Sequence, residues 1–389
     1  MGARGTVLKV LLEIQLKASQ LRMQALHGLC IFFVGASIPL FAQQTSVATA
    51  PSAANTPSQV AAQNSNSTNR QITLDVVVEN KSGKPQAGLQ QQDFTLLDNK
   101  VSQKILSFNA VDVPTAKADP PTEVILLIDT MNTSLDAISD ARLQIEKYLR
   151  QNDGKLVYPT SIAVFSDSGL KMSGTSTIDG NALSTSLKAT REIGLRSLHA
   201  AAGSSGDSDR FVSSITGLNT LVAAKSKIPG RKIVIWFSSG WPLLTGTEIS
   251  MSLKTKQDLF ASVVAASEAL RRFHLTLYNI DPENTFGSPK RSAKFSYLSF
   301  VKGVSSPGDV SPTNLSLQVL ATQSGGKVLI NGNDIASEIQ SCVDDANAFY
   351  VISFERAVTD RPDQYHSLEL KISQPGLTAR TTTGYYAKP

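Results

Sequence analysis

The stretch Val124-Ile125-Leu126-Leu127-Ile128-Asp129-Thr130-Met131-Asn132-Thr133-Ser134 decides the fold. Five consecutive large apolar residues, β-branched or Leu, predict a strand buried on both faces, as in the middle of a parallel sheet. The run stops at an acid. Asp129 and the hydroxyls and amide after it occupy the loop leaving the strand's carboxyl end. A helical period follows from Leu135 to Gln151, with Ile138, Ala141, Ile145 and Leu149 on one face. Open α/β sheets bind ligands at the carboxyl ends of strands, where the strand order reverses. An acid with hydroxyl neighbours there offers hard oxygen ligands suited to Mg²⁺, Mn²⁺ or Ca²⁺. The same residue types also cap helices and close turns, so Asp129 and Thr133 have a second reading as caps of the following helix.

Outward from this stretch, strands alternate with helices. Residues 161–165 read as a strand and 170–177 as an antiparallel edge; 209–227 carries a helical pattern. Lys232 to Phe237 is a second apolar strand, ending in Ser238-Ser239-Gly240. A mostly helical segment from Thr247 to Phe273 turns Leu259, Phe260, Val263, Val264 and Leu270 inward. A strand from His274 to Ile280 stops at Asp281-Pro282, a turn signal. A helix over 315–323, a short strand over 327–330 and a last helix over 334–348 complete the series. This order predicts an α/β domain over 120–347: a doubly wound, mostly parallel six-stranded sheet.

The two ends read as β structure. Ile72, Leu74, Val76 and Val78 alternate with polar residues, and strands are expected near 94–98 and 105–108. At the other end, 349–354, 367–372 and 378–386 are strand-like, separated by turns at 359–362 and 374–376. Residues 70–115 and 348–389 are therefore expected to form one β-sandwich-like module, with the α/β domain inserted between them.

Residues 1–42 read as a signal peptide: scattered positive charge, a short apolar run from Leu26, and Leu40-Phe41-Ala42 before Gln43-Gln44. The run is short for a full membrane span. The leader holds Arg4, Lys9, Lys17, Arg22 and Glu13. Its removal takes 37 basic residues to 33 and 32 acidic residues to 31, so the formal charge of +5 becomes +2. A nucleic-acid partner is not implied. Residues 43–69, rich in Ser, Thr, Ala, Asn and Gln, read as a disordered linker. Once the leader is removed Cys342 is the one cysteine; it shares a helical face with Ile335, Ile339 and Ala346, which predicts burial. His199, His274 and His366 show no zinc spacing.

Asp129-Thr130-Met131-Asn132-Thr133 resembles the first metal-site segment of a von Willebrand factor A domain, Asp-x-Ser-x-Ser after a hydrophobic strand. The form Leu-Leu-Ile-Asp-x-x-Asn-Thr, the opening Val-Val-Val-Glu-Asn-Lys-Ser-Gly-Lys-Pro and the closing Gly384-Tyr385-Tyr386-Ala387 are similar to the VWFA-related domain of Acidobacteria. The resemblance implies a von Willebrand factor A-like fold and a degenerate metal-ion-dependent adhesion site made of Asp129, Thr133, Ser238 and Ser239. Met131 stands where the family has its first serine, and Ser238-Ser239-Gly240 where it has Thr-Asp-Gly. One carboxylate is missing, and Ser204, Ser205 and Asp207 are the candidates for the third-loop ligand. Affinity for a divalent ion rises with ligand charge, so Mg²⁺ or Mn²⁺ binding is expected to be weak or absent. An exported, non-enzymatic adhesion module for a protein or glycan follows; the alternative is a metal-free scaffold of the cell envelope. A hydrolase would need a histidine beside Ser239, and Phe237 departs from a nucleophile elbow.

Overall fold

The computed structural model describes residues 70–112, 122–189, 204–242, 251–283, 296–330, 334–356 and 361–387. The expected signal peptide and linker, His199 and the start of the helix expected from Thr247 lie outside the described residues. The chain opens with β1 (Gln71–Glu79), β2 (Phe94–Asp98), β3 (Val101–Gln103) and β4 (Ile105–Asp112). It continues with β5 (Glu123–Asp129), α1 (Leu135–Leu149), β6 (Lys155–Ser166), β7 (Gly169–Asp179), α2 (Gly180–Ala189), α3 (Ser204–Lys225) and β8 (Lys232–Phe237). Then come α4 (Leu253–Arg272), β9 (Leu275–Asp281), α5 (Leu317–Gln323), β10 (Val328–Ile330) and α6 (Ile335–Asp344). The closing strands are β11 (Ala348–Glu355), β12 (Gln364–Ile372), β13 (Thr378–Arg380) and β14 (Gly384–Ala387).

A six-stranded sheet ordered β10-β9-β8-β5-β6-β7 forms the α/β part. All neighbours run parallel except β6 and β7. All seven residues of β5 are buried because both faces of the strand are covered. Ile125 and Leu127 face a cluster filled by α3, α4 and α5 through Phe211, Leu218, Leu259 and Leu320. Val124, Leu126 and Ile128 face α1 and α6 through Ile138, Ile145 and Ile339, and Cys342 is buried among them. This is a doubly wound α/β sheet, compatible with a von Willebrand factor A-like fold. Strand order reverses between β5 and β8, so the switch point falls where Asp129 ends β5 and Ser238 follows β8.

Two four-stranded sheets stand beside it, ordered β13-β1-β11-β4 and β14-β12-β2-β3. Leu74 and Val76 of β1, Leu96 of β2, Ile352 and Phe354 of β11, Leu368 of β12 and Tyr385 of β14 share one apolar cluster. Each sheet therefore draws strands from both ends of the chain. The strand expected over 378–386 is two strands in different sheets. Between them Thr381 donates its hydroxyl to the Asp75 carbonyl at 2.8 Å, and Thr383 N–H donates to the Gln323 carbonyl at 3.1 Å. The chain crosses from one sheet to the other there, against the α/β part. Helix α2 was not anticipated: its Ser, Thr and Asn residues form helix poorly in isolation, and burial of Leu183 and Leu187 beside α1 decides the matter.

Ion pairs tie the β sheets to the α/β part. Arg380 of β13 contacts Glu79 of β1 and Asp345 after α6, while Lys327 contacts the same two acids. His274, at φ 53° before β9, places Nδ1 3.0 Å from the carboxylate of Asp75 on β1. The hydrogen bond and charge of Asp75 raise the His274 pKa above its ordinary value, against burial and the cations Lys232 and Arg271. Burial works to raise the Asp75 carboxyl, but the bond and charge of His274, with Arg231 and Lys232, hold it below its ordinary value. The histidine's contribution is complete below its unfolded pKa of about 6.5 and is lost as pH rises through the raised folded value. The carboxylate's contribution is present above about 3.8 and lost as pH falls through the lowered one. Replacing His274 by Gln is therefore expected to lower the denaturation midpoint most between about pH 4 and 6.5, and least once pH has risen through the raised folded value. Urea melts of both proteins across that range check this; a constant difference at all pH values would refute it.

Candidate functional site at the carboxyl edge of the central sheet

Asp129 closes β5 with no exposed surface. Its Oδ1 accepts the backbone N–H groups of Met131 at 3.0 Å and Asn132 at 2.9 Å, an Asx-type turn. Its Oδ2 accepts three side-chain donors: the Asn132 carboxamide at 2.9 Å, Trp236 Nε1–H at 3.0 Å and the Ser238 hydroxyl at 3.0 Å. Burial holds the Asp129 pKa above its ordinary value, and the bonds from Asn132, Trp236 and Ser238 offset that rise only in part. Five donors meet a group with about four lone-pair sites, so the arrangement is that of an ionised carboxylate held by neutral partners.

The other expected site residues surround it. Thr133 Oγ1 accepts the Ser239 N–H at 3.1 Å, joining the turn after β5 to the turn after β8. The Ser238 hydroxyl also accepts the Gly240 N–H at 3.1 Å. Gly240 has φ 94°, and a Cβ there would lie 1.8 Å from Gln318 Nε2, so the turn requires glycine. Asp129, Thr133, Ser238 and Ser239 are thus brought together. The cap reading is corrected: the N-cap of α1 is Ser134, which makes no side-chain cap bond, and its N–H donates instead to Glu283 at 3.0 Å.

A divalent cation fits this donor set poorly. Both Asp129 oxygens are engaged, and displacing one charge-assisted bond costs about 1.5–3 kcal/mol. Among the described residues, the buried oxygens beside Asp129 without a protein partner include Ser239 Oγ, Asn132 Oδ1, Asn279 Oδ1 and Gln318 Oε1, all neutral. Met131, where an oxygen was lacking by sequence, packs into the apolar cluster with 6 % exposure. Of the third-loop candidates, Ser204, Ser205 and Asp207 begin α3 rather than lie in a loop, and Asp207 pairs with Arg210. The hydroxyl that α3 does supply is Ser214, which accepts the Asn132 carboxamide at 2.9 Å. Asp281 Oδ1 accepts the Glu283 N–H at 3.0 Å, the turn role its proline neighbour suggested.

Trp236 and Asn279 are the members that sequence reasoning missed. Trp236 read only as core, yet a buried indole N–H ordinarily finds an acceptor, and the strand period puts it on the same face as Ser238. Asn279 of β9 donates to the Ser238 carbonyl at 2.8 Å. No described histidine stands at this edge. His274 precedes β9 at the sheet's amino edge, about 20 Å away at the rise of a strand, and His366 of β12 is bonded to Asp98 at 2.8 Å.

Beyond this network, Glu338 of α6 lies near Asp281 and Asp334. Burial, then the charges of Asp281 and Asp334, push its pKa up to about 7. A raised folded pKa contributes stability at low pH that is lost as pH rises through about 7. Glu338→Gln is expected to flatten that loss and raise the melting temperature at pH 8. Calorimetric scans at pH 5 and pH 8 measure it, and an unchanged difference between the two would refute the assignment.

No family model and no curated protein matches the chain. Among solved structures, it is similar to the SpRpn10 VWA domain, at 11% identity and TM-score 0.24, over 56% of this chain and 93% of that one. It is also similar to the pilus adhesin SpaC from Lactobacillus rhamnosus GG, at 7% identity and TM-score 0.31, over 78% of this chain and 49% of that one. The chain thus spans about half the length of the adhesin it matches. At these values the likenesses carry nothing about activity; the fold stands on the strand order and register.

Proposed function

We propose that the chain is an exported, non-enzymatic binding module that takes a protein or glycan partner at the Asp129 rim, with divalent metal weak or absent. The observation that carries this reading is the fixed polar turn pair at the switch point, flanked by exposed apolar side chains. Leu135 opens α1 and Leu253 opens α4 at the same edge, with 51% and 69% of their surfaces exposed. Exposed leucines beside a rigid polar rim suit a contact surface better than a reaction centre. The residues quoted for the Acidobacterial resemblance and the leader ending at Ala42 support the family branch and export. Among the described residues no helix is long and apolar enough to cross a membrane. The alternative, a metal-free envelope scaffold, draws on the partly buried ion pairs of Arg380 and Lys327 that join the sheets.

Capture of partners from an envelope extract by the exported chain, with and without chelator, tests the binding reading. Capture is expected to survive chelator and to drop at least tenfold in Leu253→Asp, a change that the first turn of a helix tolerates. Equal capture by both proteins would remove the rim from the interaction. Titration calorimetry with Mg²⁺ and Mn²⁺ is expected to show affinity no tighter than millimolar; micromolar affinity abolished by Asp129→Ala would overturn the metal reading.

A further inference from the structure

We infer that Trp236 and Asn132 together take the place of a cation on Asp129, so that the two rim turns hold one arrangement without metal. The inference rests on the site geometry and stands whether or not the rim binds a partner. A divalent ion between the turns after β5 and β8 would neutralise the carboxylate and join the turns. Side chains already join the turns, and their N–H and O–H dipoles stabilise the charge without cancelling it. Oδ2 collects donors from the turn after β5 (Asn132), from β8 itself (Trp236) and from the turn after β8 (Ser238).

The indole is suited to this task in three ways. It is a donor only, with no acceptor role at any pH. It has no exposed surface. Its ring is set edge-on against Phe165 and Trp241, at centroid distances of 6.0 and 5.2 Å, so its N–H direction is fixed. Asn132 extends the network outward: the same carboxamide nitrogen donates to Ser214 Oγ at 2.9 Å, whose hydroxyl donates to the Arg210 carbonyl at 2.7 Å. The turn after β5 is thereby tied to α3 as well as to β8. A bound ion exchanges with solution, whereas these donors are part of the chain. The state of the rim is therefore independent of divalent-ion concentration.

The chain has two tryptophans, so its ¹⁵N-labelled indole spectrum holds two signals, and Trp241→Phe assigns them. The Trp236 indole proton is expected downfield, protected from solvent exchange, and unbroadened by millimolar Mn²⁺. Broadening at micromolar Mn²⁺ that Mg²⁺ reverses would place a cation beside Asp129 and overturn the inference; so would rapid exchange of that proton. In Trp236→Phe the amide protons of the turns after β5 and β8 are expected to lose protection from exchange, and unchanged protection there would show that the indole does not hold the rim. Should the variant fail to fold, the exchange and Mn²⁺ measurements on the unaltered chain decide alone.

Discussion

Taking a carboxylate out of water costs several kcal/mol unless something compensates the charge. At Asp129 the compensation comes from five neutral donors, two from the backbone of the next turn and three from side chains on two segments. The rest of the rim follows from that requirement. Asn132 must turn back toward the strand, Trp236 must present its edge at the end of β8, and Ser238 must leave the strand facing the same side. Glycine at position 240 lets the chain close beneath Gln318. Thr133 then meets the Ser239 N–H, so the two turns at the switch point are joined twice over.

The same sheet deals with charge differently at its other edge. There the acids Asp75, Glu79 and Asp345 meet the cations His274, Lys327 and Arg380, and the pairs bridge the α/β part to the β sheets. Truncating a cation here leaves the buried Asp345 carboxylate less compensated, which makes this edge a fixed joint. The carboxyl edge, by contrast, combines neutral donors inside with exposed Leu135 and Leu253 outside. One edge holds the sheets of the molecule together through charge pairs, and the other satisfies its central charge with neutral donors.

The α/β sheet was legible in the sequence because its central strands are buried on both faces. Continuous apolar runs at 124–128 and 232–237 have few other uses, and the 3.6 period of α1, α4 and α6 names the residues that cover them. Asp129, Thr133, Ser238 and Ser239 were legible as one site only through the resemblance to the von Willebrand factor A pattern, which sets the loops after these two strands side by side. Helix α2 was not, since weak intrinsic propensity leaves burial to decide, and burial is a property of the assembled fold. The division of residues 378–386 between two sheets was likewise hidden, because three threonines in a row fit a strand as well as a crossing.

What the sequence determined by itself is the set of groups on the two turns after β5 and β8: one carboxylate, several hydroxyls, an amide, and no second acid after β8. That set follows from residue identity and strand position alone. Tertiary structure decided what satisfies the carboxylate. A hydrogen bond to Oδ2 from Trp236, 107 positions away, depends on parallel pairing that sets Ile128 beside Phe237 and Leu127 beside Trp236. Periodicity reports which face of a strand a side chain occupies, but it carries no information about which strand lies alongside. The physical reason is that the backbone bonds pairing two parallel strands are the same for any sequence, while the donor at the end of the neighbouring strand belongs to this one.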